Sequence, residues 1–311
     1  SAIISPLMVI LSSQVLSETI FLFFFVLFLY FSVKVILEKN NLLFKIAMAG
    51  LFLGFSTSIR PITYPLIYLS ILPFGIILFK KNILKYKIIL SSTIFLFFSL
   101  LPISSRIYEN IKIHNSFSLT SQTGTHLAYW VAPLIISETK NINRTDAIQY
   151  IDKIKDNYTL TDNDYKNDKI LRQVGFKALS EINKTDIIFH WFKAGLINIT
   201  APSILLDKHL RSLPHPSYYE TGNVLLWLKL IFGDSKYYKY LIIILIASFS
   251  SIFTIISFIV GSVYIFKTNR MIFVLMTLYV LYFLLITGPL LSPKYIFPIL
   301  PCLFFYQGIT L

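Results

Sequence analysis

The feature that most limits the fold of this chain is a pair of apolar runs joined by a short basic turn. Residues 19–37 carry one charge, at Lys34, and residues 46–58 carry none. At ~1.5 Å rise per residue, the first run can cross a hydrocarbon layer about 30 Å thick as a helix. The two runs therefore predict a helical hairpin that spans a membrane.

The composition supports a membrane protein. Hydrophobic residues make up 55% of the 311 residues and charged residues only 14%, whereas soluble domains carry about 25% charge. The formal net charge is +13, but many lysines lie in short turns between apolar runs. Such turns are typical of topology signals and of contacts with anionic lipid headgroups, so we predict membrane lipids and no nucleic acid as partners. The single cysteine, Cys302, excludes an intrachain disulfide and most metal frameworks.

Three short turns between apolar runs are basic, and all three agree on one topology. They are residues 38–45, 80–87 and 267–270. By the positive-inside rule these turns face the cytoplasm, which places the long stretch between Tyr108 and Tyr237 on the other side. We expect the membrane to be a bacterial cytoplasmic membrane.

The predicted fold class is all-α: a polytopic integral membrane helical bundle with a mostly helical extracytoplasmic insert. Residues 1–104 are predicted to form transmembrane helices, the first one partial. Residues 105–237 form the insert, and residues 238–311 form C-terminal transmembrane helices, the last one cut. The sequence begins and ends inside apolar segments, so we expect it to be a piece of a longer membrane protein.

Helical periodicity is visible inside the insert. Apolar residues recur at helical spacing over residues 145–155 and 165–182, and Asp162 or Asn163 can cap the second helix. Residues 186–202 are apolar but short and carry charges, which favours an interfacial helix lying along the membrane over a span.

Polar residues recur at the predicted outer ends of the helices. Glu18 and Arg60 end the two arms of the hairpin, and Arg106 and Lys294-Tyr295 follow or lie between prolines at other helix ends. Each has a plain structural explanation: Glu18 can complement a helix dipole, and Arg60 can snorkel to the interface. Three basic residues with an acid beside them nevertheless predict an anionic ligand at the outer membrane surface, since a guanidinium fork matches phosphate geometry.

The segment LTSQTGTHLAYW, residues 119–130, follows Arg106 in the insert. Thr123 and Gly124 can present hydroxyls and backbone amides from a loop in which Gly124 permits a tight turn. His126 is a candidate base or ligand, although a structural histidine is the commoner case. These three residues are predicted to belong to an acceptor site or loop.

Taken in order, five motifs resemble the polytopic C-type (GT-C) glycosyltransferases related to protein mannosyltransferases and lipid A aminoarabinose transferases. They are Ser17-Glu18 at the start of a long apolar helix, AGLFLGFSTSIRP at residues 49–61, Pro102 to Arg106 followed by SLTSQTGTHL, amphipathic helices over residues 178–202 that end near a proline, and KYIFPILP at residues 294–301. The order and intervals cover nearly the whole chain. The sequence departs from the family pattern at Lys294, where arginine is usual.

The resemblance implies an enzyme that transfers a hexose or pentose from a polyprenyl-phosphate donor to a glycan, lipid or protein acceptor. The family's catalytic aspartate lies in a first outer loop, upstream of Ser1. Arg60, Arg106, Lys294 and Tyr295 would bind the donor phosphate. Glu18 would support catalysis and help to hold a divalent metal in those members that require one, and no other cofactor is implied.

Two other classes use the same outer basic residues. One is a transporter or flippase for an anionic lipid or solute, which should show broken helices or internal repeats near the bilayer midplane. The sequence shows neither feature. The other class is a polysaccharide polymerase or ligase, which the upstream residues would separate from the transferase.

Overall fold

The computed structural model describes residues 17–200, 204, 208–216, 224–290 and 293–308. These residues are mostly helical and contain no strand, which confirms the all-α class. In chain order the α-helices are α1 (Ser17–Leu37), α2 (Leu42–Ile59), α3 (Tyr64–Leu69), α4 (Ile71–Lys80), α5 (Lys85–Leu100), α6 (Ser104–His114), α7 (Thr123–His126), α8 (Ala132–Lys140), α9 (Arg144–Lys155), α10 (Asp164–Ser180), α11 (Lys184–Thr200), α12 (Lys208–Ser212), α13 (Val224–Gly233), α14 (Tyr238–Thr268), α15 (Arg270–Thr287) and α16 (Leu300–Gln307). Short 3₁₀ segments lie at Pro61–Thr63, Leu101–Ile103, Ser235–Tyr237 and Pro293–Ile299, and a π-helical turn lies at Leu127–Val131.

Six helical segments are long and apolar enough to cross a membrane. They are Ser17–Leu37, Leu42–Ile59, Pro61–Lys80, Lys85–His114, Ser235–Thr268 and Arg270–Thr287. The first two contain the apolar runs at residues 19–37 and 46–58 that predicted the hairpin. The last run gives a shorter apolar helix, Tyr295–Gln307, and the partial helix predicted near the start of the chain lies outside the described residues.

The chain folds as two compact units. The first comprises Ser17–Gly195 and Val274–Leu290, and the second comprises the described residues among 196–273 and 293–308. In the first unit, α1 and α2 form the predicted antiparallel hairpin, and aromatic rings pack between the two helices. Phe24 stacks on Phe55 with ring centroids 5.1 Å apart. On its other side, Phe25 meets Phe283 of α15 edge to face at 5.3 Å. In the second unit, Gly261 of α14 lies against the Tyr306 carbonyl of α16.

Two glycines let α2 pack closely against α5. A Cβ on Gly50 would lie 2.5 Å from the Phe95 carbonyl oxygen, and a Cβ on Gly54 would lie 2.4 Å from the Ser99 carbonyl oxygen. The contact advances by four residues on both helices together, so α2 and α5 run parallel. This agrees with the predicted topology, in which both helices run from the basic turns toward the other side. Close backbone approach through small residues is typical of membrane helices.

Lysines at the basic-turn end of the hairpin bind polar groups at the C-terminus of α1. The Lys81 ammonium donates to the backbone carbonyls of Val35, at 2.6 Å, and Glu38, at 2.9 Å. Lys45 is buried and pairs with the Glu38 carboxylate at 2.5 Å. Because the last carbonyls of a helix have no intrahelical partner, these lysines stabilise the helix end as well as biasing the topology.

The insert contains the helices that periodicity predicts. Asn143 caps α9 by accepting from the Asp146 N–H at 2.8 Å, and Asn163 caps α10 by accepting from the Tyr165 and Lys166 N–H groups. Of the two proposed caps for α10, Asn163 is therefore the one used. Buried apolar side chains on both helices, such as Ile151 and Val174, pack the insert.

Helix α11 is amphipathic in the structure. Ile188, Phe189 and Phe192 are exposed on one side. On the other side, the Trp191 indole N–H donates to the Leu285 carbonyl of α15 at 2.9 Å, and His190 lies 3.0 Å from the Glu138 carboxylate of α8. The exposed apolar stripe is of the kind that the predicted interfacial placement requires, and that placement stays a prediction.

The topology can be tested with matched lysine-to-cysteine variants. We expect Lys166→Cys, in α10, to react with a membrane-impermeant thiol reagent in intact cells, and Lys85→Cys, at the start of α5, to react only after permeabilisation. Both positions are exposed, and the native Cys302 is buried. Labelling of Lys85→Cys but not of Lys166→Cys in intact cells would contradict the positive-inside topology.

Candidate functional site

The hairpin brings Glu18 and Arg60 into direct contact. The Arg60 Nη2 donates to the Glu18 Oε1 at 2.6 Å, although the two residues are 42 positions apart. The Glu18 side chain is 15% exposed and that of Arg60 is 36% exposed. Among the described residues, the Arg60 guanidinium makes a hydrogen bond only through Nη2.

Buried hydroxyls fix the chain where α2 ends at Arg60. The Thr57 hydroxyl donates to the Leu53 carbonyl at 2.8 Å and lies 2.9 Å from the Thr63 hydroxyl, which also lies 3.2 Å from the Arg60 carbonyl oxygen. Both threonines are fully buried. From α15, the Tyr282 hydroxyl donates to the Ile62 carbonyl. We call residues 57–63 together with Tyr282 the Arg60 corner.

Sequence reasoning did not single out the residues that hold the Arg60 corner. Thr57 and Thr63 lie three residues before and three residues after Arg60, and this spacing is the signal that could have identified them. Tyr282 lies 220 positions from its partner, and no local pattern in the sequence points to that contact.

The register of α2 on α5 indicates that Arg106 lies near the level of Arg60. Helices α2 and α5 run parallel, and the pairing of Gly54 with Ser99 and Pro102 sets their register. The same offset carried to Arg60 reaches the first turn of α6, which contains Arg106. Arg106 is exposed and makes no hydrogen bond or ion pair with any residue that the structure describes.

The third predicted basic position lies in the second compact unit. Lys294 and Tyr295 belong to the 3₁₀ segment Pro293–Ile299. The Lys294 side chain is outside the described residues, and Tyr295 is half-buried. Their part in a phosphate site stays a prediction.

The segment predicted as an acceptor loop is helical instead. Thr123, Gly124 and His126 form α7, which continues into the π-helical turn. The Gly124 N–H donates to the buried Asp168 carboxylate at 2.5 Å, and a Cβ there would lie 2.0 Å from the Asp168 carbonyl oxygen. Gly124 therefore serves close packing of α7 on α10 rather than a tight turn, and its backbone amide is already occupied.

A polar triad holds α9 against the π-helical turn. The Tyr129 hydroxyl lies 2.9 Å from the Asp152 carboxylate, and the Lys155 ammonium lies 2.7 Å from the same oxygen. The hydrogen bond from Lys155 lowers the pKa of Asp152, and the bond to Asp152 raises the pKa of Lys155. Burial raises the pKa of Tyr129. Each group thus keeps its ordinary charge at neutral pH, which indicates that the triad stabilises the packing of α9 on the π-helical turn.

The described residues do not form a divalent-metal site around Glu18. No group of three or more histidine, cysteine, aspartate or glutamate side chains gathers anywhere in the described part of the chain. The Glu18 carboxylate is also neutralised by Arg60. Hard divalent cations take several oxygen ligands, so Glu18 by itself does not supply a site.

The arrangement can bind an anion. One carboxylate orients a guanidinium at the end of an apolar helix, and Arg106 adds a second positive charge at that level. Comparison with known proteins finds no matching family model, no matching curated protein and no matching solved structure. The functional interpretation therefore rests on the residues themselves and on the motifs described above.

Proposed function

We propose that this chain is the membrane-embedded part of a glycosyltransferase that moves a sugar from a polyprenyl-phosphate donor to an acceptor at the extracytoplasmic membrane surface. The observation that carries the proposal is the Arg60 corner. There a guanidinium is held by Glu18 through one nitrogen at 2.6 Å, at the end of an apolar helix. A lipid-linked phosphate requires such a place, because its chain lies among the helices and its charge lies at the interface.

The charges at the site suit a phosphate ligand. Glu18 contributes one negative charge, and Arg60 and Arg106 contribute two positive charges. The remaining donors of Arg60 can make charge-assisted hydrogen bonds to phosphate oxygens, which are roughly twice as strong as neutral ones. Glu18 limits the excess positive charge while leaving the guanidinium open on its other side.

The proposed reaction is the one that the resemblance implies, and the placement of the two arginines suits its leaving group. An acceptor hydroxyl attacks the anomeric carbon, the bond from that carbon to the phosphate oxygen breaks, and a base takes the hydroxyl proton. The departing polyprenyl phosphate gains negative charge, which Arg60 and Arg106 stabilise. The resemblance assigns the base to an aspartate upstream of Ser1, so the residues described here supply donor binding and leaving-group stabilisation.

A transporter or flippase is the main rival. Such proteins commonly coordinate their cargo with unwound half-helices near the bilayer midplane. The third span, Pro61–Lys80, changes helix at Ser70, but the backbone ladder continues there: the Ser70 N–H donates to the Leu66 carbonyl at 2.9 Å. The charged groups also lie at a helix end rather than at mid-span. Both features favour the transferase.

The function can be tested in proteoliposomes that contain the full-length protein. We expect the labelled sugar of a polyprenyl-phosphate hexose or pentose to appear on acceptors from a membrane extract, and Arg106→Ala to reduce that transfer strongly. Arg144→Ala, in the insert, is the matched control and should leave transfer unchanged. Movement of intact lipid-linked sugar across the bilayer, without cleavage of the sugar–phosphate bond, would overturn the assignment in favour of a flippase.

Glu18→Gln separates the two explanations of Glu18. The amide keeps the shape but removes the charge that orients Arg60, so we expect weaker binding of undecaprenyl phosphate and reduced transfer with little loss of thermal stability. If Glu18 only complements the helix dipole, the substitution should cost less than about 1 kcal/mol of stability and leave activity intact. Melting temperature and transfer rate, measured on the same purified variant, distinguish the outcomes.

A further inference from the structure

Helix α13 exposes an unusual amount of apolar surface for its length. Its ten residues read VLLWLKLIFG. Leu225 is 76% exposed, Phe232 is 54% exposed, and Leu228 and Leu230 are also exposed. Surfaces of this kind on a folded chain mark contacts with a partner or with a membrane.

The remaining side of α13 is firmly packed. Ile231 is fully buried in a cluster with Leu210 of α12 and Tyr240 of α14. The Trp227 indole N–H donates to the Pro216 carbonyl at 2.7 Å. The helix is therefore held in place by one narrow face. Its apolar side chains stay exposed even though the helix is packed into the folded unit.

The position of α13 along the chain places it beside a proposed membrane span. It is followed directly by Ser235–Tyr237 and α14, whose most apolar stretch has no buried residue. The junction holds Trp227, Tyr237 and Tyr238 together with Lys236, the residue types that gather where a span meets the membrane surface. A ten-residue apolar helix at this place has the length of an interfacial or re-entrant segment, not of a span.

We propose that α13 is embedded in the lipid leaflet at the N-terminal end of α14, which the predicted topology makes the extracytoplasmic leaflet. At about 100° per residue, the exposed apolar side chains run from Leu228 through Phe232 and Leu225 to Leu230, more than half of the helix circumference. A single protein surface covers one face of a helix, whereas fluid acyl chains surround it.

Lys229 also favours lipid over a protein partner. It lies within the exposed apolar sector and makes no ion pair with any described residue. Under an apolar partner surface of the kind that would match the exposed leucines, its ammonium would be buried without a counter-charge, which is costly. At a bilayer surface the long apolar stem lies among acyl chains while the ammonium reaches the lipid phosphates.

The test uses nitroxide-labelled single-cysteine variants of the full chain, with Cys302→Ala as background, in phosphatidylcholine–phosphatidylglycerol vesicles. We expect labels at Leu228 and Phe232 to collide several-fold more often with dissolved oxygen than with a water-soluble nickel chelate. The matched control is Phe176 of α10, which is 60% exposed in the insert and should show the reverse. Circular dichroism confirms that each variant is folded.

Each other result would overturn the proposal. Frequent collisions with nickel at both positions would place α13 in water, and infrequent collisions with both reagents would place it under protein. Phe253, on the exposed side of α14, separates this inference from the proposed membrane embedding on which it rests. If the label at Phe253 collides mainly with oxygen while the label at Phe232 collides mainly with nickel, only the placement of α13 is wrong. If the label at Phe253 also collides mainly with nickel, the membrane embedding of the chain is wrong as well.

Discussion

Replacing Arg60 by alanine in the full-length protein is expected to slow sugar transfer roughly a hundredfold or more, because removing one charged donor from a largely dry site costs a few kcal/mol of transition-state stabilisation. The loss should appear in kcat and in the affinity for undecaprenyl phosphate, since the guanidinium contacts the phosphate before and after transfer. Steady-state kinetics and thermal stabilisation by added undecaprenyl phosphate measure the two effects.

Two further variants make the Arg60 result specific. Arg60→Lys should restore only part of the rate, because an ammonium keeps the charge but loses the fork that can contact Glu18 and a phosphate together. Arg144→Ala removes an arginine from the exposed surface of the insert and should leave kinetics unchanged. Wild-type transfer by Arg60→Ala, with unchanged melting temperature, would show that Arg60 only snorkels to the interface.

The second large effect is expected at Gly54. An alanine there would place its Cβ 2.4 Å from the Ser99 carbonyl oxygen and 2.9 Å from the Pro102 ring. Backbone and proline atoms cannot yield by rotating a side chain, so α2 and α5 must separate. We expect a loss of about 1–3 kcal/mol of stability. Binding of undecaprenyl phosphate should also weaken, because Arg60 and Arg106 follow this contact on the two helices.

Gly75 provides the matched control for Gly54. It lies in α4, another apolar helix, and a Cβ there would meet no atom within 4 Å. Gly75→Ala should be neutral or stabilising by up to about 1 kcal/mol, since alanine is the better helix former. Equal melting temperatures for the two alanine variants in detergent would contradict the close packing of α2 on α5.

The sequence alone was sufficient for the apolar helices and for placing Glu18 and Arg60 at the same end of the hairpin. An apolar run of spanning length is expected to be helical in lipid, because each backbone N–H and C=O group must find its hydrogen-bond partner within the same segment. A short turn between two such runs forces them antiparallel, and this brings the outer ends together. Asn163 was one of the two caps predicted for α10, because a cap acts within three residues.

The predicted loop conformation of residues 123–126 is where local reasoning failed. Thr123-Gly124-Thr125 is a turn-like sequence, and the tight-turn prediction followed from the freedom of glycine. The structure uses Gly124 for the absence of its side chain, because Asp168 of α10 occupies the space where a Cβ would lie. That need arises from a residue 44 positions away, so the adjacent sequence carries no sign of it.

What the sequence by itself determined, then, is the set of long apolar helices, the ends at which the charges lie, and the meeting of Glu18 and Arg60 at one end of the hairpin. Only the tertiary structure decided the parallel register of α2 and α5, the buried Thr57–Thr63 pair, and the contact of Tyr282 with the Arg60 corner. Local structure depends on residues a few positions apart, which a single sequence displays directly. Packing depends on which helices meet, and a uniformly apolar helix in lipid carries little pattern to mark the face that its neighbour will cover.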